Sequence, residues 1–194
     1  MLQTYFSKDE RPYTGPELAP HFILTRFAVK GSAITAFCGP CFVKTEHLVD
    51  WEDRLVNDRI EAKRMVHFLG EFFGISLREG VVLQRLFMAR IKESLLAKMG
   101  AEAALRGLKR DGDDLFVDGK KLSVSIVTAS PVSVLLHAGI NIDPSGAPVQ
   151  AIGLQSLGFE TEGHLGDWIE SILSGFAEEW ESMEWACAKV RPVM

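Results

Sequence analysis

Two cysteines at C-x-x-C spacing are the most conspicuous candidates for chemistry in the chain. Cys38 and Cys41 flank a Gly-Pro pair in the run ITAFCGPCFV, and this spacing is typical of redox dithiols in thioredoxin-like proteins. Such a dithiol needs a thiolate that is stabilised at the N-terminus of a helix, whereas Phe42 and Val43 favour a continuing strand. We therefore interpret the two cysteines as structural residues around a Gly-Pro turn, with thiol redox chemistry as an alternative hypothesis.

The remaining cysteine and the histidines are the other candidates for metal ligands. Structural zinc sites usually take two pairs of ligands at short spacing, and Cys38 with Cys41 is one such pair. No second pair is found among Cys187, His21, His47, His67, His137 and His164. The sequence thus predicts no metal cluster.

A second group of candidates lies on two consecutive predicted strands, KLSVSIV and VSVLLHAGINI. Residues two apart along a strand share a face. The polar faces of the two strands comprise Lys121, Ser123, Ser125, Ser133, His137, Gly139 and Asn141. If a turn at Pro131 joins the strands antiparallel, we expect these residues to share one face. That face is either a solvated sheet surface or a ligand site, because small residues leave room and a lysine suits a carboxylate or phosphate.

Strands and helices must position these candidates. The runs HFILTRFAV and SAITAF are typical of short strands. The spacing of apolar residues then predicts a helix from about Trp51 to Phe73. A capping box formed by Ser76 and Glu79 predicts a second helix, which ends at Gly100.

The second half of the chain is predicted to be sheet followed by a helix. Asp-Gly dipeptides at Asp111 and Asp118 indicate hairpins in a β region between residues 104 and 157. Asp167 is the expected N-cap of a C-terminal helix over residues 165–190.

The order of these elements predicts the fold class. We expect one α+β domain over residues 1–194, with a mixed, largely antiparallel sheet flanked by helices. Residues 1–20 are expected to form an irregular lead-in, because they contain Pro12, Gly15, Pro16 and Pro20.

Composition and charge exclude several classes of protein. An apolar fraction of 47% supports a sizeable core. The net charge of -5 does not indicate a basic surface of the kind that binds nucleic acid or anionic lipid. No apolar run approaches the ~20 residues of a membrane-spanning helix, and the N-terminus lacks the pattern of a secretion signal. These features predict a cytoplasmic protein that binds neither nucleic acid nor membranes.

One segment carries a family resemblance. GDDLFVDGKKLSVSI, followed by LLHAGINID, resembles the catalytic signature of biotin protein ligases, which reads N-D-L-Y-x-x-x-R-K-L-A-G and then G-I-N. Asp114 aligns with the aspartate, Lys121 follows at the same spacing, and Gly139 begins the G-I-N match. HAGINIDP is similar to a run of octanoyltransferases, which share this fold with lipoate protein ligases. The chain is identified as a member of a small family of unknown function with this fold.

The resemblance implies roles for individual residues. In the relatives, the lysine contacts the carboxylate and phosphate of an acyl-adenylate, which implies that Lys121 is catalytic and that Asp114 and Asn141 order the site. GSAITAFCGPC is similar to the glycine-rich substrate loop of octanoyltransferases, which implies that Gly39 lies near the substrate. Ser123, Ser125, His137 and Gly139, on the polar strand faces described above, complete the set of predicted substrate-binding residues.

The same resemblance implies a function. We expect an acyl ligase or acyltransferase that handles a biotin-, lipoate- or octanoate-like carboxylic acid, or its activated form. An acceptor protein is the implied partner, and a homodimer is a further expectation. A catalytically silent module that binds a ligand or a partner chain is the alternative.

The sequence departs from these relatives in two ways. KGSAITAFCGPC lacks the paired arginines with which biotin and lipoate ligases bind substrate and nucleotide, so the use of ATP is an open question. Octanoyltransferases hold the acyl group on a cysteine, and the matching GLQSLG run offers Ser156 instead. His137 is the one base on the predicted hairpin face that could activate this serine.

Overall fold

The computed structural model describes residues 1–159 and 161–193. The strands are β1 (Gln3–Phe6), β2 (Ala33–Val43), β3 (Ile60–Phe72), β4 (Lys109–Asp111), β5 (Asp114–Val117), β6 (Lys120–Lys121), β7 (Ser123–Ala129) and β8 (Val134–Asp143). The helices are α1 (Phe22–Phe27), α2 (Trp51–Leu55), α3 (Leu77–Met99), α4 (Ala101–Leu105) and α5 (Glu162–Ala188). Short 3₁₀ turns occur at Thr45–His47 and Leu154–Leu157.

A five-stranded sheet with the strand order β1-β2-β3-β8-β7 forms the centre of the fold. β1 runs parallel to β2, and the other neighbouring strands are antiparallel. A second, antiparallel sheet has the order β4-β5-β6. The predicted α+β class, with a mixed and largely antiparallel sheet flanked by helices, is confirmed.

Both faces of the central sheet are buried. Phe68 and Phe72 of β3 belong to the larger core cluster, which includes Phe87 of α3 and Phe176 of α5. On the opposite face, a smaller cluster contains Phe37, Met65, Leu69, Tyr13 and Ile23. The N-terminal segment and α1 therefore cover one face of the sheet, while the two long helices cover the other.

The helix predicted from Trp51 to Phe73 is wrong, because most of this segment is strand β3. Only Trp51–Leu55 is helical, and the side chain of Asp50 caps it. Every residue from Met65 to Phe72 is buried, so this strand has no polar face and lacks the alternation by which strands are usually recognised.

The strand predicted in HFILTRFAV is also wrong, whereas the one in SAITAF is confirmed. Phe22–Phe27 forms the short helix α1, flanked by His21 and Ala28 in left-handed conformations. The second run lies in β2, which continues to Val43.

Two local structures that the sequence predicts, a helix capping box and an Asp-Gly turn, are present in the fold. The oxygen Oγ of Ser76 accepts a hydrogen bond from the Glu79 amide, and the Glu79 carboxylate accepts one from the Ser76 amide, so the predicted capping box is confirmed. Asp118 and Gly119 both have positive φ, at 53° and 72°, as the hairpin between β5 and β6 requires.

The predicted start of the C-terminal helix is wrong. Thr161, not Asp167, is the N-cap, and its hydroxyl accepts a hydrogen bond from the amide of His164. Within the described residues, no helix is long and apolar enough to cross a membrane.

The C-x-x-C segment lies inside β2 and not at a turn, so the predicted turn is wrong. The pairing with β3 shifts between Gly39, which lies opposite Met65, and Cys41, which lies opposite Ala62. This irregularity is a bulge, which adds residues to one strand without ending it. Cys38 then belongs to the larger core cluster and Cys41 to the smaller one.

The N-terminal segment approaches β2 closely at this position. The amide of Arg11 donates to the carbonyl oxygen of Cys38, and the amide of Tyr13 donates to that of Pro40. A Cβ atom at Gly39 would lie 1.9 Å from the carbonyl oxygen of Arg11. Only glycine fits here without a shift of the backbone.

Replacing Gly39 by alanine should therefore destabilise the fold. For Gly39→Ala we expect the free energy of unfolding, measured by urea denaturation, to fall by about 2 kcal/mol or more. Gly163→Ala is the matched control, because a Cβ there meets no atom within 4 Å. It should leave the stability unchanged or raise it by up to about 1 kcal/mol. Equal effects of the two substitutions would contradict this account of Gly39.

Candidate functional site

A cavity of about 260 Å³ lies where β6 leads into β7. Its walls come from the segment between His47 and Glu61, from the turn and strand around Asp114, and from β7 and β8. Six of the eight residues predicted for the site line this cavity: Asp114, Lys121, Ser123, Ser125, His137 and Asn141.

Lys121 is held at the junction of the two sheets. Its amide donates to the carbonyl oxygen of Gln150, and its carbonyl oxygen accepts from the amide of Ile152, both at 3.0 Å. The Nδ2 group of Asn141 donates to the same carbonyl oxygen at 3.3 Å. These contacts fix the backbone from which the lysine side chain extends to the cavity.

The ammonium group of Lys121 is paired with Asp114. Nζ lies 2.9 Å from Oδ2 of Asp114, and the two side chains are 33% and 28% exposed. Burial raises the pKa of Asp114, and the hydrogen bond from Lys121 opposes that increase. Asp114 thus orients the lysine, whose side chain stays partly exposed.

The hairpin of β7 and β8 does not have the single polar face that we predicted. The connection of residues 130–133 pairs Ala129 with Val134, so Ser125 lies opposite Ala138, and Ile126 lies opposite His137. Because directly opposed residues share a face, the serines lie on the face opposite to His137. The prediction failed because one residue of register exchanges the two faces.

Ser123 and Ser125 connect the sheets and α3. The oxygen Oγ of Ser123 accepts from the amide of Leu115 at 2.8 Å. The oxygen Oγ of Ser125 accepts from Nε2 of Gln84 at 2.8 Å and lies 3.2 Å from Oδ2 of Asp113. Both hydroxyl groups already have protein partners, so we interpret them as contacts that hold the cavity wall in place.

His137 is held by a second histidine that sequence reasoning missed. Nε2 of His67 lies 3.3 Å from the carbonyl oxygen of Gly39, and a carbonyl only accepts, so Nε2 carries the proton. Burial lowers the pKa of His67 to about 3, so the ring is neutral and its Nδ1 is an acceptor. Nε2 of His137, 3.1 Å away, must then be the donor.

This chain of hydrogen bonds fixes the tautomer of His137. Its Nε2 is protonated towards His67, which leaves Nδ1 as an acceptor. The ring of Tyr13 stacks on His137 with 3.8 Å between centroids. His67 could have been noticed as the histidine within the apolar run RMVHFLGEF, had that run been interpreted as a strand.

Three other residues considered from the sequence do not line the cavity. Gly39 supplies the carbonyl group that binds His67. Gly139 provides space, because a Cβ there would lie 2.7 Å from Cε of Met65. Ser156 donates its hydroxyl to the carbonyl oxygen of Gly153, so the structure does not bring it together with His137 in the cavity.

Carboxylate groups dominate the charge around the cavity. The lining includes six of them: Asp50, Asp53, Asp58, Glu61, Asp113 and Asp114. The basic side chains in the lining, apart from the histidines, are Arg59 and Lys121. Sequence reasoning missed this feature because segments far apart in the chain contribute the acids.

The two cysteines of the C-x-x-C segment are unsuited to dithiol chemistry. Burial raises the pKa of Cys38 and that of Cys41 to about 12 each. A reactive cysteine instead has a lowered pKa and an accessible thiolate. Because the two residues also belong to core clusters on opposite faces of the sheet, their side chains do not form a pair.

Comparison with known proteins identifies the fold as that of biotin and lipoate protein ligase catalytic domains. A biotin protein ligase from Aquifex aeolicus, in complex with biotin and ATP, is similar with a TM-score of 0.53 and 13% identity, over 91% of this chain and 69% of that one. LipL1 of P. falciparum, in complex with lipoate, has a TM-score of 0.55 and 11% identity, over 92% of this chain and 61% of the other.

The chain belongs to the family described as a domain of unknown function, DUF366, whose model matches residues 2–191. An uncharacterized protein from Methanocaldococcus jannaschii is 32% identical over all of this chain and 86% of its own length. A protein of unknown function from Pyrococcus horikoshi has the same identity and a TM-score of 0.88 over the full length of both chains. The predicted family and fold are confirmed.

The cysteines should differ sharply in reactivity. Cys38 and Cys41 are buried, whereas Cys187 is exposed. We expect Ellman's reagent at mildly alkaline pH to label Cys187 alone in the folded protein and all three cysteines after denaturation. A Cys187→Ser variant should show no rapid reaction. Fast labelling of Cys38 or Cys41 in that variant would contradict their burial and would support the dithiol hypothesis.

The buried histidines should make the stability fall with acidification. Burial lowers the pKa of both His67 and His137, so below about pH 6.5 the unfolded chain binds protons that the folded chain does not. We expect the free energy of unfolding to fall between about pH 6.5 and pH 4, with each histidine contributing on the order of 1 kcal/mol per pH unit.

Urea denaturation across this pH range measures the effect. A His67→Leu variant should show a shallower dependence on pH, whereas replacement of the exposed His164 by asparagine should leave the slope unchanged. A slope that is the same in the wild type and in His67→Leu would show that His67 is not the source.

Proposed function

We propose that the protein is an acyl ligase or acyltransferase that binds a carboxylic acid, or its activated acyl form, against Lys121. The observation that carries this proposal is the position of Lys121 on the wall of the cavity, next to Asp114. Solved structures with a similar fold hold biotin or lipoate. A biotin-, lipoate- or octanoate-like acid is therefore the first class of ligand to test.

The cavity offers complementary surfaces for such a ligand. Its lining includes apolar side chains that can cover an acyl chain: Leu18, Val43, Leu48, Met65, Val124 and Ile126. The ammonium group of Lys121 carries three N–H donors. Because Asp114 is the one ion-pair partner of Lys121 among the described residues, the other N–H donors can bind the oxygen atoms of an acid.

Lys121 would stabilise the negative charge that develops on oxygen atoms during acyl activation and transfer. In an ATP-dependent ligase, a carboxylate oxygen attacks the α-phosphorus of ATP and pyrophosphate leaves. An amine of the acceptor then attacks the acyl carbon, AMP leaves with the electron pair of the broken bond, and the amine loses a proton. A compact ammonium group stabilises the oxygen charge in both steps.

A catalytically silent binding module on the same fold is the second candidate. Two observations favour it: the pairing of Lys121 with Asp114 and the many carboxylates in the lining. Both weaken the attraction of the cavity for a nucleotide. The burial of Cys38 and Cys41 counts against thiol redox chemistry, the third candidate.

ATP–pyrophosphate exchange with purified protein and a panel of acids tests the proposal. The panel contains biotin, lipoate, octanoate and amino acids. We expect exchange that depends on one class of acid, and we expect Lys121→Ala to lower its rate by at least about 100-fold. Lys120→Ala is the matched control, because Lys120 is the exposed neighbour on the same strand and does not line the cavity.

Three other results would change the conclusion. Full exchange activity in Lys121→Ala would exclude the proposed role of the lysine. Acid binding in a calorimeter without exchange, and without acyl transfer from a thioester to an amine, would favour the binding module. Absence of both binding and exchange with every acid would reject the proposal.

A further inference from the structure

The charge in the cavity is not balanced by the protein itself. Three of the six lining carboxylates are paired with cations. Glu61 binds Arg59 at 3.1 Å, Asp113 binds Arg85 at 3.2 Å, and Asp114 binds Lys121 at 2.9 Å. Within residues 1–159 and 161–193, no salt bridge involves the other three, Asp50, Asp53 and Asp58.

All three of these carboxylates line the cavity, and Asp53 lies within electrostatic reach of the other two. Burial raises the pKa of Asp53, and the negative charges of Asp50 and Asp58 raise it further. Lys121 opposes the increase, so it too lies within electrostatic reach of Asp53. The part of the chain that the structure describes contains no group of His, Cys, Asp or Glu side chains arranged to hold a metal ion. The ammonium group of an organic ligand can supply balancing charge at these carboxylates.

A second, independent feature is a pair of hydrogen-bond acceptor atoms, one on Asn141 and one on His137. Asn141 is 6% exposed and lines the cavity. Its Nδ2 donates to the carbonyl oxygen of Lys121, whereas none of the described residues donates a hydrogen bond to its Oδ1. His137 is 2% exposed, also lines the cavity, and uses its Nε2 proton on His67. Its Nδ1 is therefore a second acceptor.

Both features select the same kind of ligand. Neither acceptor atom is fully buried without a partner among the described residues, so each can accept a hydrogen bond from the N–H groups of a ligand in the cavity. A positive charge on those N–H groups is also attracted by Asp50, Asp53 and Asp58. A plain fatty acid, with its ionised carboxylate, carries neither N–H donors nor a positive charge.

We propose that the acid bound against Lys121 also carries a protonated amine, which the carboxylates of the cavity and the acceptors Asn141 and His137 bind. This inference rests on the proposed function, because it assigns the carboxylate of the same ligand to Lys121. The ligand class is then an amino acid in the broad sense, with its carboxylate and its ammonium group recognised by different parts of one cavity.

Calorimetric titration of the full chain with matched acids tests this inference. The probes are caproate, norleucine and ε-aminocaproate, which share a chain length and differ in the presence and position of the amine. Octanoate and its ω-amino derivative extend the series, and cadaverine supplies amines without an acid. We expect at least one amino acid to bind about 10-fold or more tightly than its matched fatty acid.

Variants of the lining carboxylates test which residues bind the amine of the ligand. Asp53→Asn combined with Asp58→Asn should weaken binding of the amino acid by about 10-fold or more and leave binding of the fatty acid unchanged or tighter. Glu93→Gln is the control, because it removes an exposed carboxylate on α3 that does not line the cavity. It should change neither affinity.

The outcomes separate this inference from the proposed function. Fatty acids that bind as tightly as their amino derivatives would overturn the inference and leave the role of Lys121 intact. Binding of cadaverine with no binding of any acid would overturn both, because the cavity would then be a site for cations alone. Absence of binding by every probe would likewise reject both.

Discussion

Burial of β3 on both faces is the constraint on which the rest of the structure depends. From Met65 to Phe72 this strand exposes no side chain, so each face must be covered by another part of the chain. Helices α3 and α5 cover one face, and the N-terminal segment with α1 covers the other. The same strand brings His67 to the covered N-terminal side, where Gly39 and His137 fix its tautomer.

The register of the hairpin formed by β7 and β8 determines which polar side chains can bind a ligand and which ones stabilise the cavity wall. The four residues between β7 and β8 place the serines of β7 opposite small or apolar residues of β8. Ser123 and Ser125 are consequently used to join the two sheets and α3. His137 and Asn141 lie on the opposite side of the sheet from these serines. Among the described residues, Nδ1 of His137 and Oδ1 of Asn141 have no hydrogen-bond partner.

Signals that act within a few residues could be predicted from the sequence, and contacts between distant segments could not. The capping box at Ser76 and the Asp-Gly turn at Asp118 depend on local geometry. The spacing of Asp114 and Lys121 reflects one hairpin, which brings the two side chains into contact. In β3 the alternation is lost because both faces are buried. The acidic lining escaped prediction because Asp50, Asp53 and Asp58 precede Lys121 by more than sixty residues.

We infer that one lysine in a cavity lined by six carboxylates makes the site selective among acids. A site that only attracted anions would bind any acid, whereas the cavity carboxylates that form no salt bridge within the described residues repel ligands that bring negative charge alone. Asp114 keeps the lysine extended towards the cavity and lowers its net attraction for anions. Affinity must then come from groups that satisfy the acids and the acceptors on Asn141 and His137 as well as the lysine. A ligand of mixed charge meets all of these requirements at once.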